Sequence, residues 1–291
     1  MKLSTEISSL SEIIGEKKAI ECLASVGFNG YDFTMCVMSE KDANGNLCEH
    51  ILNTPNYLSF VKEIDKIAKD NGIICNQTHA PFKYMSDNEY SNDLRKKAIE
   101  CTAVLGGEIC VIHPLNDFSP AQNAEMYHKL LPFAKECGVK IATENMWNWD
   151  YYVKKHALPA ACSDEKSFLD HINAVNDEFL VACLDIGHCE MKGLNTSSVK
   201  MIETLKSHIK CLHIHDNDLW HDNHQIPFSM DIDFIPIIKS LKKVRYDGWF
   251  TLEANGYLNS FNIDNYKQGV KDLYTSVKKI EDLFLEAGYE N

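Results

Sequence analysis

Histidine and carboxylate side chains recur in this sequence at the points where short apolar runs end. The segments that carry them are QTHAPF, VIHP, ATEN, LDIGH, LHIHDND, HDNH and TLEAN, and the candidate residues are His79, His113, Glu144, Asp185, His188, His213, Asp222, His224 and Glu253. Mixed imidazole and carboxylate donors suit Zn²⁺, Mn²⁺, Fe²⁺ or Co²⁺, and a set without thiolates disfavours a purely structural zinc site.

These side chains would need cations if they met in one cavity, because like charges repel strongly in a partly desolvated site. The set holds four carboxylates and therefore four negative charges. Two divalent ions would neutralise them, and three would leave room for a hydroxide and an anionic substrate group. We therefore predict a site for one to three divalent metal ions. Acids embedded in apolar strands, such as Asp185 and Glu253, are expected to act in that site rather than as structure.

Eight apolar runs of strand length could position these donors. Stretches with helical periodicity separate the runs, which span residues 2–7, 30–36, 73–79, 108–113, 139–144, 180–188, 209–215 and 248–254. Strict alternation of strand and helix predicts a parallel sheet, and eight repeats predict a closed (β/α)₈ TIM barrel. We expect residues 1–291 to form one such domain, with a doubly wound open sheet as the alternative.

The alternation within each strand predicts which side chains face the barrel mouth. Apolar residues such as Leu212 and Ile214 should point outward to the helices, which turns His213 inward. The same reasoning turns Asp185 and Glu253 inward at the ends of strands six and eight. The segment HIHDNDLWHDNH could instead be a solvated loop, but His215 also points inward, so it could form a hydrogen bond to a metal-ligating residue. His215 and the exposed-looking His221 fit the solvated-loop interpretation best.

The motifs L-D-x-G-H, L-H-x-H-D-N and D-x-H-x-x-P, with a Glu that ends strand eight, resemble the xylose-isomerase-like barrel superfamily. That superfamily includes sugar (phosphate) isomerases and epimerases and the apurinic endonucleases, and the resemblance spans essentially the whole chain. It implies a shared metal quartet of Glu144, Asp185, His213 and Glu253. It further implies a substrate contact or third metal at His188, and the extra ligands of a trinuclear endonuclease cluster at His79, His113, Asp222 and His224.

Composition argues against a nucleic-acid partner. The chain has 29 Lys and Arg against 42 Asp and Glu, a net charge of −13, and two arginines, neither in a predicted strand-end loop. DNA-binding proteins normally present a basic stripe. The chain also departs from the ketohexose 3-epimerase pattern, which has an Arg at the place of Leu219 and glycines where Phe228-Ser229-Met230 stand.

The favoured function is metal-assisted isomerisation or epimerisation of an unphosphorylated sugar or polyol derivative. Glu144 and Glu253 would remove and return a proton on carbon beside a metal-polarised carbonyl, and His188 would steer a substrate oxygen. Scarce arginine argues against a phosphate group. The alternatives are a multinuclear metal phosphodiesterase and a lyase or dehydratase that uses enolate chemistry. A non-catalytic sugar-binding barrel is disfavoured, since it has no use for so many donors.

Other sequence features bear on the cellular location of the protein, its oligomeric state and the residues around the site. Eleven scattered cysteines without a C-x-x-C motif predict reduced thiols, with Cys189 inert, and no apolar run is long enough to span a membrane. We expect a cytoplasmic protein without a membrane partner. Pairing of barrel faces is common in the superfamily, so a homo-oligomer is compatible with the sequence. Trp147, Trp149 and Trp220 follow strand ends and could stack on a sugar or pack together in a lid.

Overall fold

The computed structural model describes residues 2–153 and 155–288. Strands and helices alternate along these residues. The strands are β1 (Lys2–Glu6), β2 (Gly30–Thr34), β3 (Ile74–His79), β4 (Ile109–Val111), β5 (Lys140–Glu144), β6 (Trp147–Trp149), β7 (Ala157–Pro159), β8 (Leu180–Asp185), β9 (Ile209–His213) and β10 (Trp249–Leu252). The short strands β6 and β7 pair antiparallel as a hairpin above β5, and the other eight are the predicted repeat.

Eight parallel strands form a nearly closed barrel, so the TIM-barrel prediction is confirmed and the open doubly wound sheet is wrong. The strands pair in the order β10-β1-β2-β3-β4-β5-β8-β9. Between β9 and β10, a parallel bridge joins Ile214 to Leu252. The Ile214 amide donates to the carbonyl of Thr251 at 2.9 Å, and the Glu253 amide donates to the carbonyl of Ile214 at 3.0 Å.

Helices surround the barrel. They are α1 (Ser8–Ile14), α2 (Glu16–Val26), α3 (Tyr57–Asp70), α4 (Glu89–Val104), α5 (Pro120–Cys137), α6 (Glu165–Val175), α7 (Ile186–Glu190), α8 (Ser198–Leu205), α9 (Phe234–Lys243), α10 (Asn255–Leu258) and α11 (Tyr266–Glu286). None of the helices within the described ranges combines the length and apolarity that crossing a membrane requires.

The hydrophobic residues of the barrel strands form two clusters, because strand side chains alternate between two faces. Outward residues such as Leu212 and Phe250 pack against the helices in one large cluster. Burial of each such side chain stabilises the fold by roughly 1.5–3 kcal/mol. The barrel interior below the mouth holds a small second cluster of Val111, Ala142, Val181, Cys183 and Cys211. The polar residues lie above this second cluster, at the carboxyl ends of the strands.

The predicted sixth strand, 180–188, is too long by three residues. It ends at Asp185, and residues 186–190 form the short helix α7 instead. Asp185 is the N-cap of that helix, because its Oδ1 accepts a hydrogen bond from the His188 amide at 2.6 Å. His188 therefore lies on a helix and not on a strand, which places its ring over the barrel mouth.

A register irregularity in β3 decides the direction of His79. Tyr31 of β2 pairs with Cys75 and the next residue, Asp32, pairs with Gln77, so Asn76 is an extra residue. Cys75 therefore packs in the outer cluster, whereas Gln77 reaches Asp32 inside the barrel. His79, two residues further on, points into the mouth as predicted.

Candidate metal centre

Four predicted donors meet at one point of the barrel mouth. Glu144, Asp185, His213 and Glu253 come from the ends of β5, β8, β9 and β10, and one ligand atom of each lies within 4.8 Å of the others. Glu144, Asp185 and His213 are buried, and Glu253 faces the cavity with a side chain 16% exposed. The arrangement has the donors and the spacing to hold one metal ion.

His213 is held between two carboxylates. Its Nδ1 lies 2.8 Å from Glu144 Oε1, and its Nε2 lies 3.1 Å from Asp32 Oδ2. Asp32 in turn accepts a hydrogen bond from Gln77 at 2.9 Å. A proton on Nε2 that donates to Asp32 leaves the Nδ1 lone pair directed at the quartet, which is the usual way in which an outer carboxylate fixes a ligand imidazole.

Two further predicted donors lie beside Glu144. His79 Nε2 and His113 Nε2 are 2.9 Å apart, and Glu144 Oε2 lies 3.1 Å from His113 Nε2. His79 Nδ1 donates to the Ala80 carbonyl at 2.9 Å, so in the neutral ring the lone pair is on Nε2. Burial, with the neighbouring His113, lowers the pKa of His79 to about 4 and keeps it neutral. These three residues form a second group in which donor atoms converge.

A third group lies on the other side of the mouth, around Asp222. Its Oδ2 is 3.4 Å from His188 Nε2 and 3.0 Å from His224 Nε2. The Nδ1 atoms of these histidines donate to the carbonyls of Asn145 and Glu253 at 2.8 and 2.7 Å, which directs both Nε2 atoms at Asp222. All nine predicted donors thus lie in three adjoining groups, and His215 joins the third.

Unsatisfied buried atoms indicate what the groups could hold. Within the described residues, Asp185 Oδ2, Asp222 Oδ1 and His215 Nδ1 are buried without a hydrogen-bond partner. Native proteins leave few such atoms, because each costs about 1–3 kcal/mol. A divalent cation would satisfy oxygens and nitrogens together. The donor chemistry therefore fits a metal ion.

Burial and charge act against each other on the acids of the quartet. Burial raises the pKa of Glu253 to about 8, although His213 and His224 oppose that rise. Burial would also raise the pKa of Glu144, but His213 and His113 outweigh it and hold that pKa well below its usual range. A bound cation favours the charged form of both groups.

A cavity of about 660 Å³ opens above these groups, and seven of the nine predicted donors line it. Of the three tryptophans considered for sugar stacking, Trp147 lies on its wall. Trp149 packs instead against Trp147 and His221, and Trp220 is 42% exposed. Cys189 is buried with a pKa well above its usual value, because burial disfavours the thiolate, which agrees with an inert thiol.

Arg95 is a wall residue that sequence reasoning missed. It is only 2% exposed, lines the cavity from α4, and donates through Nη1 to the Ser86 carbonyl and Asn92 Oδ1, both at 2.8 Å. Its charge also interacts with the carboxylate of Asp87, which pairs with Lys129 at 2.6 Å. The prediction considered arginines in strand-end loops, whereas this one reaches the cavity from a helix. Scarce arginine therefore does not exclude an anionic substituent on the substrate.

The two histidines assigned to a solvated loop behave differently. His221 is exposed and its Nδ1 lies 2.8 Å from Asp218, as that interpretation predicts. His215 has no exposed surface, so the solvated interpretation is wrong for it. Asp32 is also absent from the predicted set. Its signal was an acid within the apolar strand GYDFT, the same signal that singled out Asp185 and Glu253.

Known proteins share this architecture. An uncharacterized protein of Methanocaldococcus jannaschii, MJ1311, is 25% identical over 224 residues, which are 70% of this chain and 74% of that protein. A D-tagatose 3-epimerase-like protein superposes with a TM-score of 0.70 at 21% identity, covering 97% of this chain and 99% of the other. A D-psicose 3-epimerase solved in the presence of D-fructose gives a TM-score of 0.72 at 15% identity, with 96% and 99% covered.

The structural neighbours are thus sugar epimerases, and at these identities they establish the fold. The sequence itself matches a family model, xylose isomerase-like TIM barrel, over residues 20–275. That span includes seven of the eight predicted strands, all but the first, and every predicted donor. The chain therefore belongs to the xylose isomerase-like TIM barrel family.

Proposed function

We propose that the protein is a metal-dependent sugar isomerase or epimerase. The observation that carries the proposal is the convergence of Glu144, Asp185, His213 and Glu253 within 4.8 Å at the floor of a cavity. At about 660 Å³, that cavity is of the size that holds small ligands. Sugar epimerases among the structural neighbours support the same reaction class.

The quartet would hold one divalent ion, which when bound polarises a substrate carbonyl and the adjacent hydroxyl. Zn²⁺, Mn²⁺, Fe²⁺ and Co²⁺ all suit its one imidazole and three carboxylates. His213 presents Nδ1 to this point because Asp32 holds Nε2, at 3.1 Å. The His188 amide donates the N-cap hydrogen bond to Asp185 Oδ1 at 2.6 Å, which orients that carboxylate.

We propose that two carboxylates exchange a proton with carbon. Glu144 ends β5 and Glu253 follows β10, with β8 and β9 between them in the barrel, and both line the cavity. A base and an acid on different sides of a substrate can remove a proton from one face and return it to another, as epimerisation requires. His188 also lines the cavity and would contact a substrate oxygen.

The multinuclear phosphodiesterase is the second candidate, and the observation in its favour is that all nine donors lie in three adjoining groups. The cavity wall argues against it. Its positive side chains besides histidine are Lys83, which pairs with Glu40 at 2.7 Å, and the buried Arg95, whereas Glu6 and Glu12 add negative charge. A nucleic-acid backbone would be repelled. We therefore propose a small sugar or polyol substrate and no nucleic-acid partner.

The eleven cysteines are all unpaired. Free thiols in such number are typical of a reducing compartment. We propose a cytoplasmic protein on this ground.

Deuterium exchange tests the proposal directly. The metal-loaded protein is incubated in D₂O with a panel of ketoses, aldoses, their phosphates and keto-glycosides, and proton NMR follows the hydrogens beside each carbonyl. We expect exchange with at least one sugar, its loss in Glu253→Gln, and its retention in His221→Ala, which changes an exposed ring. Absence of exchange across the panel, together with cleavage of DNA that carries abasic sites, would overturn the proposal. An unsaturated product would instead support the lyase alternative.

A further inference from the structure

His215 has the surroundings of a metal ligand, although the sequence singled it out only as a hydrogen-bonding or solvated residue. The side chain is completely buried, and neither ring nitrogen has a hydrogen-bond partner among the described residues. Its Nε2 lies 3.2 Å from Asp185 Oδ1 and 3.4 Å from Asp222 Oδ1. A neutral imidazole in this position leaves at least Nδ1 unsatisfied, because only Nε2 has carboxylate oxygens near it, and an unsatisfied buried nitrogen is costly.

The surrounding chain makes room for this ring. His215 stacks on His224 with ring centroids 4.1 Å apart. On the other side lies Gly187 of α7, where an added Cβ would come within 1.9 Å of His215 Cε1. A residue larger than glycine at this point would displace the imidazole, so α7 and the loop after β9 fit together around it.

We propose that His215 is the fourth protein ligand of a second divalent metal ion, held together with His188, Asp222 and His224. One ligand atom from each of these residues lies within 4.8 Å of the others. Three imidazoles and one carboxylate suit Zn²⁺. The inference deepens the proposed function, on whose metal dependence it rests.

The fourth ligand determines what the second ion can do. Catalytic zinc sites keep three protein ligands and an open position for water, whereas four protein ligands close a tetrahedral site. This ion would therefore fix the loop with Asp222 and His224 against α7 and shape the cavity wall. It would also occupy His188 Nε2, so His188 would contact a substrate oxygen only while this second site is empty. An ion closed in this way does not activate water, which favours the isomerase over the phosphodiesterase.

Metal counting tests this assignment. Wild type, His215→Ala, His215→Asn and the control His221→Ala are loaded with Zn²⁺, freed of excess by gel filtration and measured by mass spectrometry. We expect at least two ions in wild type and in the control, and one fewer in both His215 variants, with affinity for that ion lower by at least about 100-fold. Thermal unfolding of each variant shows whether it is folded.

Co²⁺ absorption provides a second measurement on the same proteins. Tetrahedral Co²⁺ absorbs far more strongly in the visible range than five- or six-coordinate Co²⁺, so the His215 variants should lose a tetrahedral band that His221→Ala keeps. Variants of His215 that keep the wild-type metal count and the same band would overturn the inference. If those variants also exchange sugar hydrogens, the proposed function stands without it. If the metal counts are as expected but the protein exchanges no sugar hydrogens with solvent, the proposed function is rejected and the second metal site stands.

Discussion

His213 and Asp32 stand 181 positions apart in the chain, yet their side chains meet inside the barrel, with Nε2 and Oδ2 separated by 3.1 Å. The pair joins β9 to β2 across the interior. Gln77 of β3 donates a hydrogen bond to the same carboxylate at 2.9 Å. Both side chains are almost completely buried. Such outer carboxylates orient a ligand imidazole and raise its basicity.

Asp32→Asn should therefore weaken metal binding without removing a ligand. The amide is of equal size but lacks the charge, so we expect an affinity loss of about 10- to 100-fold at the quartet. Titration calorimetry with Zn²⁺ measures it. Asp218→Asn, which alters the exposed carboxylate beside His221, is the matched control. Equal affinities in the two variants would contradict the role given to Asp32.

Glu144 and Glu253 should both be essential for proton exchange, and each is also one of the four residues of the quartet. Glu253→Gln and Glu144→Gln should lower the rate of exchange by about 10²- to 10⁴-fold, the usual contribution of a positioned base. Asp185→Asn separates metal binding from proton transfer, because Asp185 is predicted to bind the metal but not to transfer a proton. At metal concentrations that restore full occupancy, Asp185→Asn should recover exchange to a larger extent than either glutamate variant. Equal recovery in all three would show that the glutamates act only as ligands.

Removal of metal should destabilise the fold, since it leaves buried carboxylates and imidazoles without partners. A ligand at about 100 times its Kd stabilises the native state by about 2.7 kcal/mol. In a chain of this size that corresponds to roughly 4–5 °C in Tm. Differential scanning calorimetry with and without a chelator measures the shift. An unchanged Tm would indicate that no ion occupies these groups in the folded protein.

Gly187→Ala tests the fit between α7 and His215. The added methyl group would lie 1.9 Å from the imidazole, so we expect a loss of about 1–3 kcal/mol in the free energy of unfolding. The double variant Gly187→Ala/His215→Ala removes the clash and should recover part of that loss. Urea unfolding of both single variants and the double variant gives the coupling energy between the two positions. A coupling energy near zero would mean that the two residues do not constrain each other.

The barrel could be predicted because its information is local and repeated. Each strand is an apolar run with alternating faces, and each helix between runs has its own stripe. The stripe of α11, with Val270, Leu273 and Val277, is buried. Most of the nine donors could be selected for the same reason, since they stand at strand ends, whereas His188 lies on α7 and Asp222 and His224 lie in the loop after β9. Their convergence follows from the closed barrel, while their binding of metal stays a prediction.

What could not be predicted depends on contacts between distant segments. Nothing near Asp32 in the sequence indicates His213, and nothing near Arg95 on α4 indicates a cavity built by other strands. The burial of His215 requires the small surface of Gly187, which only the folded α7 presents. The end of β8 was missed for a local reason: the N-cap bond of Asp185 competes with continuation of the strand.

Tyr127 offers a prediction about the scaffold beneath the quartet. Its buried hydroxyl bonds to the Ile112 carbonyl and to Thr143 Oγ1, both at 2.9 Å, and so ties α5 to β5 one residue before Glu144. Tyr127→Phe removes both bonds and should lower the free energy of unfolding by about 1–3 kcal/mol, measured by urea denaturation. Because Thr143 points away from the mouth while Glu144 points into it, sugar exchange should change by less than about threefold when the protein is folded. A large loss of exchange with unchanged stability would show instead that α5 positions Glu144 through this hydroxyl.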